Sequence, residues 1–344
     1  MARGELLKKL FASYNRSAEF RAVAMQIIDE EEKKKNLVLA QSLRKTLEAA
    51  GARPDANRPN GNGSGTNFTS LRLLPQERDK RAPLLEPITP TRRRSELVLS
   101  RENVRLLAGV VEEFRRGDAI RQHGLRVRSR LLFCGPPGCG KSLSAEVFAF
   151  EVGLPLLVVR FDVLVSSFLG ETSGNLRKVF DYAAERPVVL FFDEFDAVAR
   201  SRDDESEHGE LKRVVNSLLQ LIDRYDTNGF VIAATNYEGR LDPAIWRRFD
   251  EVVFFDKPTL PEIRALLGVK LKNFASEFDP LSKANKLQGF THAEIERVCL
   301  NAIKQTILNQ RNSISNPTFD GALQVEEHRR MVIKQLNGTP IVPS

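Results

Sequence analysis

The chain has 344 residues, 42% of them hydrophobic and 28% charged. These are globular values, with length enough for two or three domains and a large core. No apolar run approaches the ~20 residues needed to span a bilayer, and the N-terminus "MARGELLKKLF" lacks the apolar stretch of a secretory signal. Three cysteines, Cys134, Cys139 and Cys299, match neither a disulfide framework nor a zinc spacing. The expected setting is a reducing cytoplasm, away from any membrane. The net charge of +7 is uneven: residues 1–50 carry +3, residues 51–95 carry +5 and the remaining 249 carry −1. The basic excess belongs to an N-terminal arm, which weakens the case for the core as a nucleic-acid surface.

Residues 4–50 read as two or three short helices. Leu39, Leu43 and Leu47 recur at i+4, Phe20, Val23 and Ile27 follow i, i+3, i+7, and Gly51 is a plausible C-cap. A domain over 1–50 serves either assembly or docking of a partner. "GARPDANRPNGNGSGTNFTS" follows, too poor in apolar residues to offset its ordering entropy. A flexible basic linker is expected over 51–95.

From Glu96 the pattern changes. "LLFCG", "LPLLVVRF", "VVLFFDE", "GFVIAATN" and "EVVFFD" are continuous apolar runs of strand length alternating with helical stretches. Such runs are buried on both faces, so the fold class is α/β, a parallel sheet sandwiched by helices, over 96–258. After Pro258 the sequence reads as helices only, giving a helical lid over 259–344.

Two motifs carry the chemistry. "GPPGCGKS" is Gly135, Pro136, Pro137, Gly138, Cys139, Gly140, Lys141 and Ser142, and it fits G-x-x-x-x-G-K-[ST] between a strand and a helix. Its glycines let backbone N–H groups turn toward phosphate, Lys141 reaches the β- and γ-phosphates, Ser142 is a Mg²⁺ ligand, and the helix N-terminus through Leu143 adds its positive end. "PVVLFFDEFD" ends a buried strand in two acids. Asp193 is placed for Mg²⁺ and Glu194 for polarising an attacking water, which favours hydrolysis of ATP. A structural alternative for the acids is a strand end that caps a helix.

With these motifs the chain resembles the AAA family of ring-forming remodelling ATPases, which includes katanin and spastin, over about Glu96 to Ser315. The resemblance implies a P-loop NTPase with ATP and Mg²⁺ as cofactors and a homo-oligomer, a hexamer. It implies that Asn236, ending "FVIAATN", holds the attacking water or the γ-phosphate. It implies that Arg247 and Arg248 in "LDPAIWRRFD" reach the nucleotide of a neighbouring subunit; read alone, they are more simply a solvated charge pair. "GFTHAEIERVCLNA" resembles the start of the family's lid helix, where Gly289 and Ala293 approach the ribose. It departs from the pattern at His292, where a glycine is usual, and it lacks the arginine that many relatives carry as a phosphate sensor.

"VSSFLGETSGNLRKVF" resembles the first pore loop, with Phe168 and Leu169 gripping a protein substrate threaded through the pore. The alternative is that Phe168 packs in the core. The acidic loop "SRDDESEHGE" stands where a second pore loop is expected, or is simply solvated. The layout also resembles stand-alone bacterial AAA ATPases, some encoded beside a subtilisin-like protease, so a separate protease is a further partner the resemblance implies. The other reading is a nucleic-acid-associated regulator, a helicase loader or transposition ATPase, with Arg92, Arg93 and Arg94 as DNA contacts.

Overall fold

The structure, a computed structural model, describes residues 74–77, 82–166, 169–195, 208–225, 227–236 and 243–336. The helices expected over 4–50, Phe168 and most of the acidic loop lie outside the described residues. The described residues belong to one compact unit, Ser64–Ser344.

Six strands form the main sheet: β1 (Leu85–Ile88), β2 (Arg130–Cys134), β3 (Leu156–Val159), β4 (Val189–Phe192), β5 (Phe230–Thr235) and β6 (Glu251–Phe254). Their spatial order is β1-β3-β4-β5-β2-β6, and every pairing except β1 with β3 is parallel. Alternate residues explain why the runs are continuously apolar. Leu132, Cys134, Leu190 and Phe192 point into one core cluster, against Leu176 and Phe180 of α5 (Leu169–Ala184) and Leu218 and Ile222 of α6 (His208–Arg224). Leu131, Phe133, Val189 and Phe191 point into the other, against Leu107 and Val110 of α1 (Arg101–Arg115) and Phe148 and Ala149 of α3 (Lys141–Val152). Both faces are therefore dry across the strands β2 to β5, the condition under which parallel strands are stable. The edge strand β6, expected to be buried on both faces, leaves Val252 and Phe254 exposed because no strand or helix covers that edge among the described residues. The short helices α2 (Gly117–Gln122), α4 (Phe161–Ser166) and α7 (Pro243–Trp246) complete this part.

The stretch expected as linker through residue 95 is in part ordered sheet. Leu84 and Leu85 are fully buried, and β1 adds an antiparallel edge with Leu85 opposite Val159. The basic average of 51–95 concealed this pair of anchoring leucines.

After β6 come α8 (Leu260–Leu271), a 3-10 segment (Pro280–Leu287), α9 (His292–Leu308) and α10 (Asn316–Leu336) around a third core that includes Ile263, Leu287, Val298 and Phe319. Capping boxes start α8 at Thr259 with Glu262 and α9 at Thr291 with Glu294. Arg297 of α9 grips the buried Glu326 of α10 with Nε 3.1 Å from both carboxylate oxygens. The lid is not helix alone: β7 (Ala275–Ser276) and β8 (Ser313–Ile314) pair in parallel. Two-residue strands carry no periodicity, so sequence pattern cannot announce them.

Candidate active site

The carboxyl ends of adjacent strands β4, β5 and β2 present the site residues, where parallel sheets bind ligands at a change of strand order. The chain leaves β2 at Cys134 and turns through Gly135, Gly138 and Gly140, all with positive φ (135°, 76° and 95°). Gly135 is obligatory on packing grounds as well: a Cβ there would lie 1.9 Å from the carbonyl oxygen of Phe255. Gly140 is the N-cap of α3, so the loop's last N–H groups point out of the helix start.

Lys141 is only 6% exposed, and its Nζ donates to the carbonyls of Gly135 (2.6 Å) and Pro136 (2.9 Å). These carbonyls hold the ammonium at the place where phosphate oxygens would come. Ser142, the next residue, is exposed and donates its hydroxyl to Asp193 Oδ2 at 2.7 Å. This pair of hard oxygens fits Mg²⁺, which takes one or two protein ligands and completes its shell with water and phosphate. Leu143 is half-buried in the first turn of α3.

Asp193 Oδ1 accepts the N–H of Glu194 at 2.9 Å. Glu194 adopts φ +51°, a strained conformation for a residue with a side chain, and is exposed. Phe195 N donates to Ala234 O at 2.8 Å, which straps the acidic turn to β5 two residues before Asn236. Lys141, Ser142, Asp193, Glu194 and Asn236 thus come from three neighbouring strand ends.

Arg247 and Arg248 do not join them. They follow α7 and precede β6, whose first residue Glu251 pairs with Leu131 near the start of β2. They lie at the opposite end of the sheet from the phosphate loop, about 16 Å away along a five-residue strand. The two also differ from each other: Arg247 is exposed, whereas Arg248 Nε pairs with Asp223 Oδ2 at 3.0 Å.

The lid meets the loop directly. Ala293 N donates to Gly138 O at 3.0 Å, and a Cβ on Gly138 would come within 3.2 Å of Ala293 Cβ. Gly289 has φ +78°, and its carbonyl accepts from Arg330 Nη2 at 3.0 Å. His292 is partly buried. Neither of its ring nitrogens is in hydrogen-bond geometry with a described residue. Burial holds this imidazole below its ordinary range, against opposing pulls from Glu262 and the nearby Val98 carbonyl. Cys139 is 1% exposed and burial pushes its thiol up, so it belongs to the packing of the loop. The Gly138–Ala293 bond and the Arg248–Asp223 pair join residues 155 and 25 positions apart, and no local motif signals either.

The comparisons with known proteins agree with this geometry. The ATPase family associated with various cellular activities (AAA) matches residues 131–257. An uncharacterized AAA family ATPase, y4kL, of Sinorhizobium fredii is 55% identical over 334 residues, covering 96% of this chain and 97% of that protein. An ATP-dependent zinc metalloprotease FtsH of Halothermothrix orenii is 33% identical over 226 residues, 63% of this chain and 36% of that protein. A proteasome-activating nucleotidase 2 of Haloferax volcanii is 33% identical over 267 residues, 74% of this chain and 65% of that protein. Among the described residues no helix is long and apolar enough to cross a membrane. The chain belongs to the AAA family, as an ATP-hydrolysing member of α/β fold with a mostly parallel sheet and a helical C-terminal region.

Proposed function

We propose that hydrolysis drives the remodelling of protein substrates, threaded or dislodged by a homo-oligomeric ring, a hexamer. The observation that carries this reading is the separation between the phosphate loop and Arg247 at opposite ends of one sheet. A subunit cannot reach its own nucleotide with Arg247, so the arginine serves a neighbour. An interface of that head-to-tail kind closes into a ring. The names of two relatives, a metalloprotease and a proteasome-activating nucleotidase, support protein as the substrate. The second name also supports a separate protease as a partner, and the site is proposed to work in the cytoplasm.

In the proposed mechanism Lys141 transfers its hydrogen bonds from loop carbonyls to the β- and γ-phosphates. Ser142 and Asp193 hold Mg²⁺, which when bound neutralises phosphate charge. Glu194 accepts a proton from the water that attacks the γ-phosphorus, and the bond from that phosphorus to the β–γ bridging oxygen breaks to release ADP and phosphate. Asn236 orients the water or the γ-phosphate. Gly289 and Ala293 approach the ribose. Arg247, with Arg248 beside it, stabilises charge in the neighbour's transition state, a contribution of about 10³–10⁵ in rate. Phe168 and Leu169 grip the polypeptide.

The test uses full-length protein. Glu194→Gln with ATP should retain a protein client, and adding Phe168→Ala should release it; Phe168→Ala alone should keep basal ATPase within about threefold of wild type, since the grip lies apart from the chemistry. A stably folded Phe168→Ala protein that remodels the client at the wild-type rate would sink the threading reading. Retention of DNA instead, with a steep salt slope that disappears on deleting residues 51–95, would favour a nucleic-acid regulator.

A further inference from the structure

At the amino ends of β2 and β5, remote from the phosphate loop, the surface opens into a cavity of about 410 Å³. Three guanidinium groups line it with no carboxylate partner among the described residues. Arg121 Nη2 donates only to the side-chain oxygen of Asn228, at 2.9 Å. Arg130 Nη2 donates to the carbonyls of Asp223 (3.0 Å) and Tyr225 (3.4 Å), and its Nε is buried without a partner among the described residues. Arg126 is exposed and has no hydrogen bond or ion pair among the described residues. A fourth, Arg128, is already paired with Glu113 and Glu251. Among the described lining residues the one acid, Asp250, spends Oδ2 on the backbone N–H groups of Ser129 and Arg130, both at 2.9 Å.

This charge pattern has a chemical meaning. Like-charged guanidinium groups converging on one cavity repel one another unless an anion joins them, and each carries a fork of donors that matches carboxylate or phosphate oxygens. A buried donor with no partner calls for an explanation of its own. The lining also has an apolar side: Phe114 is half-buried and backed by the fully buried Phe230, ring centroids 5.1 Å apart, and Leu125 is 63% exposed at the rim. The volume falls in the range of small-molecule sites, which combine apolar walls with a few convergent polar groups.

We infer that this cavity binds a small organic anion, an oxyanion head of phosphate or carboxylate type on a compact apolar or aromatic body. The head engages Arg121, Arg126 and Arg130, and the body lies against Phe114 and Leu125. The site is separate from that of ATP, and its existence does not depend on the remodelling reading. It sits beside the segment that carries Arg247 and Arg248, because Asp223, which pairs with Arg248, also accepts from Arg130 through its carbonyl.

Phenyl phosphate is the probe, titrated calorimetrically and by NMR into the full-length chain saturated with ADP, so that the phosphate loop is occupied. Saturable binding is expected, at least about threefold tighter than inorganic phosphate because of the apolar walls, with phenol not binding. The double variant Arg121→Gln/Arg126→Gln, two exposed positions whose change leaves the fold intact, should weaken phenyl phosphate about tenfold or more and leave ADP affinity unchanged. Benzoate tests the carboxylate head against the phosphate head, and binding of either supports the site. Unchanged binding by the folded double variant overturns the inference. So does binding that ADP abolishes, which would mean that the probe occupied the phosphate loop, or the absence of saturable binding by both anions.

Discussion

Replacing Gly135 by alanine tests how the phosphate loop is built. The added Cβ would stand 1.9 Å from Phe255 O and 2.8 Å from Phe255 C, both backbone atoms with no rotamer to escape through. The loop and the end of β6 must therefore part by about 1.5 Å to reach ordinary contact. That movement strains the bond from Phe255 N to Cys134 O, now 2.7 Å. It also moves the Gly135 carbonyl that holds Lys141. A left-handed φ at a residue with a side chain costs about 1–3 kcal/mol, and a weakened hydrogen bond adds about 1 kcal/mol. The sum, about 2–4 kcal/mol, lowers the unfolding midpoint by roughly 5–15 °C for a domain of this size. Gly140→Ala is the control, since its φ is +95° but no atom lies within 4 Å of its added Cβ. It carries the backbone term alone and should fall by less. Thermal unfolding without nucleotide reads the stability, and titration with a non-hydrolysable ATP analogue should show at least a tenfold loss of affinity for Gly135→Ala. If Gly135→Ala melted within 1 °C of wild type, or no lower than Gly140→Ala, the close approach to Phe255 would not be a determinant of this loop.

Lys141→Ala should abolish tight ATP binding, whereas Glu194→Gln should bind ATP and lose turnover, measured by calorimetry and phosphate release; equal loss of binding in both would contradict their separate roles. Arg247→Ala should cut turnover with binding kept, and mixing it with excess Lys141→Ala should restore activity; no rescue in mixtures shown to co-assemble would remove the action in trans. Arg248→Ala additionally breaks the half-exposed pair with Asp223, an interaction worth about 0–1 kcal/mol, so its melting point should shift by no more than a few degrees. Cys139, buried with its thiol pushed up, should resist maleimide in the folded protein at neutral pH and react on unfolding; rapid labelling of the native protein, located by mass spectrometry, would show that the loop opens.

The chemistry of this protein is written in short contiguous stretches, and those the sequence determined by itself. The phosphate loop and the acid pair at Asp193 and Glu194 each need their residue types at fixed local spacing, because each motif is one strand end and its turn; Asn236 was expected from the family resemblance alone. The α/β class was legible for a similar reason: strands buried on both faces must be apolar almost throughout, as β2 to β5 are, while the edge strand β6 keeps the pattern with one face exposed. The departures all involve partners distant in the chain. β1 exists because Leu84 and Leu85 find the edge of β3 some 70 residues later, although their neighbourhood averages as a basic linker. β7 and β8, at two residues each, depend on pairing rather than propensity. The strict need for glycine at position 135 comes from Phe255, and the junction of lid and loop comes from Ala293 meeting Gly138. Arg247 and Arg248 are adjacent in sequence, yet only the fold separates an exposed arginine from one paired with Asp223, and only the direction of the parallel sheet carries both away from their own phosphate loop. Local sequence sets what a segment can do; strand order and close packing, sums over many weak long-range contacts, decide which segments meet.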